Sequence, residues 1–270
     1  MTQVQTHDRQ PIPGVKDMLA ISSGKGGVGK STISANLAVA MARSGRRVGL
    51  MDTDIYGPNI PGMVGAEGKP TLTAAGDHMV PIETSGLRTI SMGSLIEPGV
   101  PVIWRGPMLA KMIDQFLHQV DWGELDVLVL DLPPGTGDVQ ITLTQSAPIT
   151  GAIIVTTPSE LALEDVRRGV RMFRDTELPI VGLIENMSAF TCDSCGHTEA
   201  IFGQGGGEKT AAALDLPFLG GVPLDPRLRQ CADEGTPMVD AMPDAPASVA
   251  LKGIAEDILR RLAGEDAAGG

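Results

Sequence analysis

A mostly parallel β-sheet covered by helices on both faces is the fold class this sequence predicts. Two observations carry the expectation. Short continuous apolar runs recur at 18–21, 48–51, 87–92, 126–130, 151–156 and 180–184, with helical stretches between several of them. A strand buried on both faces reads as an unbroken apolar run, and helical crossovers make neighbouring strands parallel. The second observation is the glycine-rich segment Gly24-Lys25-Gly26-Gly27-Val28-Gly29-Lys30-Ser31, set between the first run and a helical stretch at 32–43.

Strand, glycine loop, helix is the setting of a phosphate-binding loop. Glycines let backbone N–H groups turn inward onto phosphate oxygens. The following helix, starting near Thr32, offers its positive end. Lys30 supplies a point charge for β- and γ-phosphates, and the Ser31 hydroxyl suits Mg²⁺. Gly24 to Thr32 are therefore the candidate nucleotide-binding residues. Lys25 is an additional cation that an ordinary phosphate loop does not require. It reads either as a solvated lysine or as a charge offered to a phosphate across a dimer interface.

The remaining elements follow in chain order. Residues 1–17 are polar, carry Pro11 and Pro13, and read as a flexible lead-in; they lack the apolar core of a secretory signal. The second strand, 48–51, ends at Asp52-Thr53-Asp54, two carboxylates able to share a metal shell and position an attacking water. Segment 57–86 is rich in glycine, proline and threonine and reads as irregular. Residues 108–120 have helical spacing, with Met108, Met112, Ile113, Phe116 and Leu117 on one face. The strand at 126–130 ends at Asp131, the Walker B arrangement, in which the carboxylate orients water in the Mg²⁺ shell. At a solvent-accessible strand end, Asp131→Asn is expected to cost activity more than folding. Residues 133–138 start rigid and end permissive, as suits a segment that senses the γ-phosphate; Asp138 reads otherwise as a cap. Ligands of such sheets bind at the carboxyl ends of the strands, where the glycine loop, Asp52, Asp131 and Asn186 all fall.

Residues 187–209 read as an irregular insertion. It holds Cys192-Asp193-Ser194-Cys195-Gly196-His197 and the glycines 205–207. Two thiolates at this spacing suit a metal centre, a redox dithiol or an incidental pair. A zinc ion or four-iron cluster wants four ligands. His197 and a remote Cys231 are one completion; two pairs meeting at a two-fold axis are another. Cys231, on a helix-like segment, reads as a packed structural cysteine. The closing helix, about 248–262, has an apolar side bearing Leu251, Ile254 and Ile258. Its polar side mixes both charge signs, so it reads as docked rather than as a basic membrane-surface helix.

Composition narrows the function further. The chain has 270 residues and a formal net charge of −12. That charge disfavours nucleic-acid and anionic-membrane partners, both of which run on Lys and Arg. No apolar run is long enough to span a bilayer. Three cysteines do not make a disulfide framework, and a reducing cytoplasm is the expected compartment. The expected organisation is a lead-in at 1–17, a single ATPase domain at 18–265 with the C-x-x-C insertion at about 187–209, and a flexible tail at 266–270.

Lys25 to Ser31, K-G-G-V-G-K-S, resembles the deviant Walker A loop shared by nitrogenase iron protein, MinD and ParA. There the extra lysine acts on the partner subunit's nucleotide. The whole chain is more specifically similar to the Mrp/ApbC group of iron–sulfur carrier P-loop ATPases. The matching segments are S-G-K-G-G-V-G-K-S at 23–31, D-T-D-I-Y-G-P-N-I-P at 52–61, W-R-G-P-M at 104–108 and D-L-P-P-G-T-G-D at 131–138. E-N-M-S at 185–188, C-D-S-C-G at 192–196, I-F-G-Q-G-G-G at 201–207 and V-P-L-D-P-R at 222–227 complete the series. The resemblance implies a homodimer that binds ATP and Mg²⁺, hydrolyses ATP slowly, and passes a labile [4Fe–4S] cluster to apo-proteins. It implies Cys192 and Cys195 as cluster ligands shared between chains, Asn186 at the adenine edge, Asp54 nearest the hydrolytic water, and Asp52 nearer the metal shell. Many bacterial members have a further N-terminal domain and eukaryotic ones a cysteine-rich extension. The lead-in here has no cysteine, so no second, N-terminal cluster is expected. Two other readings stay open: a positioning ATPase of the MinD/ParA kind acting on DNA or membrane, and a zinc-stabilised dimer with structural cysteines.

Overall fold

The computed structural model describes residues 10–265, apart from 56, 96–111, 114, 136 and 193. Its first strand, β1 (Val15–Ser23), carries Leu19 and Ile21 on one face and Met18 and Ala20 on the other, all almost wholly buried. Leu19 and Ile21 join one apolar core, Met18 and Ala20 a second. This two-sided burial is why the run is continuous rather than alternating. The strand begins three residues ahead of the apolar run at 18–21, and Ile12, in the expected lead-in, is buried in the second core.

Helix α1 (Lys30–Arg43) follows, then β2 (Val48–Asp52). The excursion that looked irregular holds α2 (Ile60–Met63) and three short strands, β3 (Thr71–Leu72), β4 (Met79–Val80) and β5 (Ile82–Thr84). β6 (Leu87–Ser91) is the third expected strand. Of the helix expected at 108–120, residues 112–113 and 115–118 are helical, with Ile113, Phe116 and Leu117 buried; Met108 lies outside the described residues, as does the whole 104–108 segment. β7 (Leu125–Asp131), α3 (Asp138–Ser146), β8 (Gly151–Thr156) and α4 (Glu160–Asp175) continue the alternation.

β9 (Ile180–Thr191) is longer than its apolar run, extending well into the expected irregular insertion, where β10 (Thr198–Glu199) folds back on it. Then come α5 (Gly206–Ala213), β11 (Phe218–Leu224), α6 (Pro226–Asp233), α7 (Met238–Ala241) and α8 (Pro246–Leu262). The strands run in the order β11-β9-β8-β1-β7-β2-β6-β5. Every neighbouring pair along that order is parallel except the edge pair β5–β6.

Helices α1 and α8 pack against one face of the sheet and α4 against the other. Leu251, Ile254, Ala255 and Ile258 of α8 are buried against that first core, so the closing helix is docked. Because β1, β2 and β7 are parallel and in register, Ser23, Asp52 and Asp131 end at the same edge, which places the phosphate loop above both carboxylates.

Candidate functional site

Residues 24–29 turn between the end of β1 and the start of α1. Two glycines there are required by what lies close to them. A Cβ on Gly24 would stand 2.3 Å from Asp165 Cβ on α4. Gly29 has φ +82°, a left-handed conformation that β-carbons disfavour, and a Cβ there would meet Asn186 Nδ2 at 2.3 Å. Gly29 caps α1, so the N–H groups of the first helical turn face the loop. A cleft of about 290 Å³ opens here, lined among others by Lys25, Lys30, Ser31, Thr32, Asp54 and Pro134. Larger hollows around Arg47 and Arg88, and around His78 and His118, lack any such loop.

The chemistry gathers on Asp131. Lys30 Nζ lies 2.7 Å from Asp131 Oδ2, and the same oxygen accepts from Ser31 Oγ at 2.7 Å. Asp131 Oδ1 accepts from Ser34 Oγ at 2.6 Å. Asp131 is 1% exposed and Lys30 6%. Sequence reasoning placed Asp131 at a solvent-accessible strand end. The structure corrects this: its carboxylate is a buried counter-charge, so replacing it acts on folding as well as on activity. Ser34 was missed. Its signal was one hydroxyl, 0% exposed, inside the apolar run of α1.

Asp52 stands beside Asp131 at the same sheet edge. Its oxygens accept from the N–H groups of Asp54 (3.0 Å) and Ile60 (3.2 Å) and from Ser91 Oγ (3.3 Å). Burial, and then the charge of Asp131, push its carboxyl up to about 7. Asp54 is half-buried, accepts from Gly57 N–H at 3.2 Å and lines the cleft. The two carboxylates thus differ in surroundings: Asp52 is buried beside Asp131, and Asp54 lines the cleft.

The segment after Asp131 is tied to β1. Gly135 N–H donates to the Ser23 carbonyl at 3.0 Å, and buried Gln140 donates through Nε2 to the Pro133 carbonyl at 2.5 Å and to Ser22 Oγ at 3.2 Å. Gln140 is a second residue that sequence reasoning missed. Thr136 and the side chain of Asp138 are outside what is described. Asn186, 5% exposed, sits against the back of the phosphate loop, its Nδ2 donating to the Val28 carbonyl at 2.8 Å.

The cysteine pair occupies the turn between β9 and β10. Cys192 N–H donates to the His197 carbonyl at 2.9 Å, Gly196 N–H to the Cys192 carbonyl at 2.8 Å, and the hydroxyls of Thr191 and Thr198 meet at 3.0 Å. Cys192 is half-buried and Cys195 exposed. Backbone N–H groups of Ser194, then of Cys195, hold the Cys192 thiol below its ordinary range, favouring the thiolate that binds metals. Cys231 lies in the first core on α6, its thiol pushed up by burial, in accord with the packing role. Among the described residues, no three His, Cys, Asp or Glu side chains form a metal site. None of the described helices is long and apolar enough to cross a membrane.

Known proteins are similar to the chain over most of its length. An iron–sulfur cluster carrier protein of Synechocystis is 50% identical over 255 residues, covering 93% of this chain and 72% of its own. The mouse iron–sulfur cluster transfer protein NUBPL is 46% identical over 256 residues, covering 94% of this chain and 80% of its own. A nucleotide-binding protein from Archaeoglobus fulgidus, solved in complex with ADP, superposes with a TM-score of 0.73 at 38% identity, covering 82% of this chain and 87% of that one. Residues 14–259 match the ParA family described as NUBPL iron-transfer P-loop NTPase, and the chain belongs to that family.

Proposed function

We propose that this chain is an ATP-dependent iron–sulfur cluster carrier. Two copies hold a labile [4Fe–4S] cluster between their Cys192 and Cys195 pairs, hydrolyse ATP slowly and pass the cluster to apo-proteins in the cytoplasm. The cluster is cargo rather than a resident group. One observation carries the reading: Cys192 and Cys195 lie in the turn directly after β9, and Asn186 of that same strand touches the phosphate loop. Nucleotide and cargo are then bound at two points of one element.

The nucleotide side follows from the donor set. Lys30 and the N–H groups of the loop bind the β- and γ-phosphates, with Lys30 exchanging Asp131 for phosphate oxygens. Ser31 Oγ and the Asp131 carboxylate, with Asp52 behind them, form an all-oxygen set that fits Mg²⁺. Bound there, Mg²⁺ neutralises phosphate charge. Asp54, facing the cleft, orients the attacking water, and Lys25 reaches the partner's nucleotide. Asn186 keeps its Oδ1 for the adenine edge while Nδ2 holds the loop.

On the cargo side, no third ligand lies beside the cysteine pair among the described residues. This favours completion by a second copy, since a two-fold axis turns two thiolates into four. The relatives' names favour a carrier over a positioning ATPase. The test is anaerobic reconstitution with iron and sulfide, followed by transfer to an apo-enzyme assayed for recovered activity. Cluster absorption followed by recovered recipient activity is expected. Protein that binds zinc in preference and never restores a recipient refutes the carrier role.

A further inference from the structure

Residue 185 is charged, lies inside a parallel strand and is 3% exposed, yet the nucleotide chemistry makes no use of it. Glu185 Oε2 accepts from Gly207 N–H at 2.6 Å. Gly207 is the second residue of α5, the helix that resumes the fold after the cysteine turn. The position is tight: a Cβ on Gly207 would stand 3.0 Å from Glu185. The acceptor therefore meets an N–H left without an intrahelical partner, at the helix end that favours negative charge.

The neighbouring residues explain what this contact can do. Asn186 grips the phosphate loop through Val28. Met187 has φ +58°, a conformation unusual for a non-glycine residue, and breaks the regular course of β9 between Asn186 and the cysteine end. Beyond Thr191 the chain turns at the cysteines, pairs back on β9 through β10 and runs on to α5. The outgoing leg is anchored by β9 itself. The returning leg is anchored by Glu185, by close approach of Gly206 to Pro158, and by the β9–β10 pairing.

We propose that Glu185 is a positioning residue for the cysteine arm. Its hydrogen bond to Gly207 N–H fixes the returning leg to the same strand that contacts the nucleotide loop. Cys192 and Cys195 thereby keep one distance from that loop, and this sets how firmly the cargo is held. The consequence for cargo rests on the carrier reading, whereas the anchoring of the arm does not.

The experiment uses the full chain with Glu185→Ala, Glu185→Asp and Glu185→Gln. Alanine removes the acceptor, aspartate is one methylene short of Gly207, and glutamine keeps an acceptor at the same reach. Amide hydrogen exchange over 198–207 in iron-free protein reads the arm directly. Exchange about ten-fold faster is expected for the alanine and aspartate variants, the factor that leaving the buried Gly207 N–H without its acceptor implies; the glutamine variant stays near wild type. In reconstituted protein, iron loss to a chelator accelerates in the same two variants and is rescued by glutamine, while ATP affinity changes less than about two-fold. Unchanged exchange in both Glu185→Ala and Glu185→Asp overturns the proposal, as does a Glu185→Gln variant that behaves like alanine. If alanine fails to fold, the aspartate and glutamine pair still decides it. Wild-type protein that takes up no iron would refute the carrier reading and leave the exchange result to judge the anchor.

Discussion

Replacing Asp131 by asparagine tests the centre of the nucleotide site. The variant keeps size and shape but removes one charge. Its amide can be placed with the carbonyl toward Lys30 and Ser31 and the NH₂ toward Ser34, whose hydroxyl then donates to the Lys30 carbonyl it already meets at 3.0 Å. Most hydrogen bonds therefore survive, and the loss is that of the counter-charge to an ammonium whose side chain is 5% exposed. Breaking a buried pair from one side costs about 3–5 kcal/mol, and retained hydrogen bonds put this case near the lower end. For a chain of this size, about 3 kcal/mol lowers the melting temperature by roughly 6–12 °C. Nucleotide gives Lys30 a new partner, so ATP should restore much of that loss. Turnover should fall roughly 10²-fold or more, since the carboxylate also belongs to the oxygen set proposed to hold the Mg²⁺ that neutralises phosphate charge. The assay is thermal melting with and without nucleotide, beside steady-state ATP hydrolysis. A nucleotide-free variant that melts within about 1 °C of wild type would refute the account of Asp131 as a buried counter-charge.

Other perturbations separate the remaining roles. Lys25→Ala should leave ATP affinity within about three-fold but cut hydrolysis by more than about ten-fold; hydrolysis at the wild-type rate removes the cross-subunit role. Gly29→Ala should abolish nucleotide binding and lower stability, because φ +82° and the 2.3 Å approach of Asn186 both oppose a β-carbon; normal ATP binding by titration calorimetry would show that the loop can rearrange. Burial holds the Glu185 carboxyl above its ordinary value of 4.5. A raised acid binds protons more tightly in the folded state, so stability declines as pH rises from about 4.5 and levels off above the folded value. Urea melts of wild type and Glu185→Gln across that range should show wild type losing ground to the variant as pH rises; parallel curves would contradict the burial of an ionisable group there.

The sequence showed the chemistry more fully than the scaffold that holds it. Lys30, Ser31 and Asp131 were readable because a phosphate loop and a strand-terminal carboxylate each demand particular residues at fixed spacing, and the structure brings them within 3.2 Å of one another. Asp52 and Asp54 were readable from the residues only as a pair, and the family resemblance alone set them apart, since backbone N–H groups from 54 and 60 decide which carboxylate turns inward. β11 escaped notice because F-L-G-G-V-P-L carries two glycines and a proline, each depleted in strands. β9 was cut short at Ile184 because Glu185, Asn186 and Ser188 interrupt its apolar run, although pairing with β11 continues to Phe190. Glu185 and Asn186 make their side-chain contacts with partners 22 and 158 residues away, which pattern reading has no way to see. Ser34 and Gln140 were hidden for the same reason: each is a buried polar group whose meaning lies in a distant carboxylate or carbonyl.

The central claim, a cluster shared by two chains through one cysteine pair from each, is tested most directly by iron and acid-labile sulfide per dimer. Wild-type, Cys192→Ala, Cys195→Ala and Cys231→Ser proteins are reconstituted side by side, and their oligomeric state is measured on the same samples. The account predicts about one four-iron cluster per two chains in wild type and in Cys231→Ser, and almost none in the other two. Full iron retention in Cys192→Ala, or one intact cluster on each isolated monomer, would contradict it.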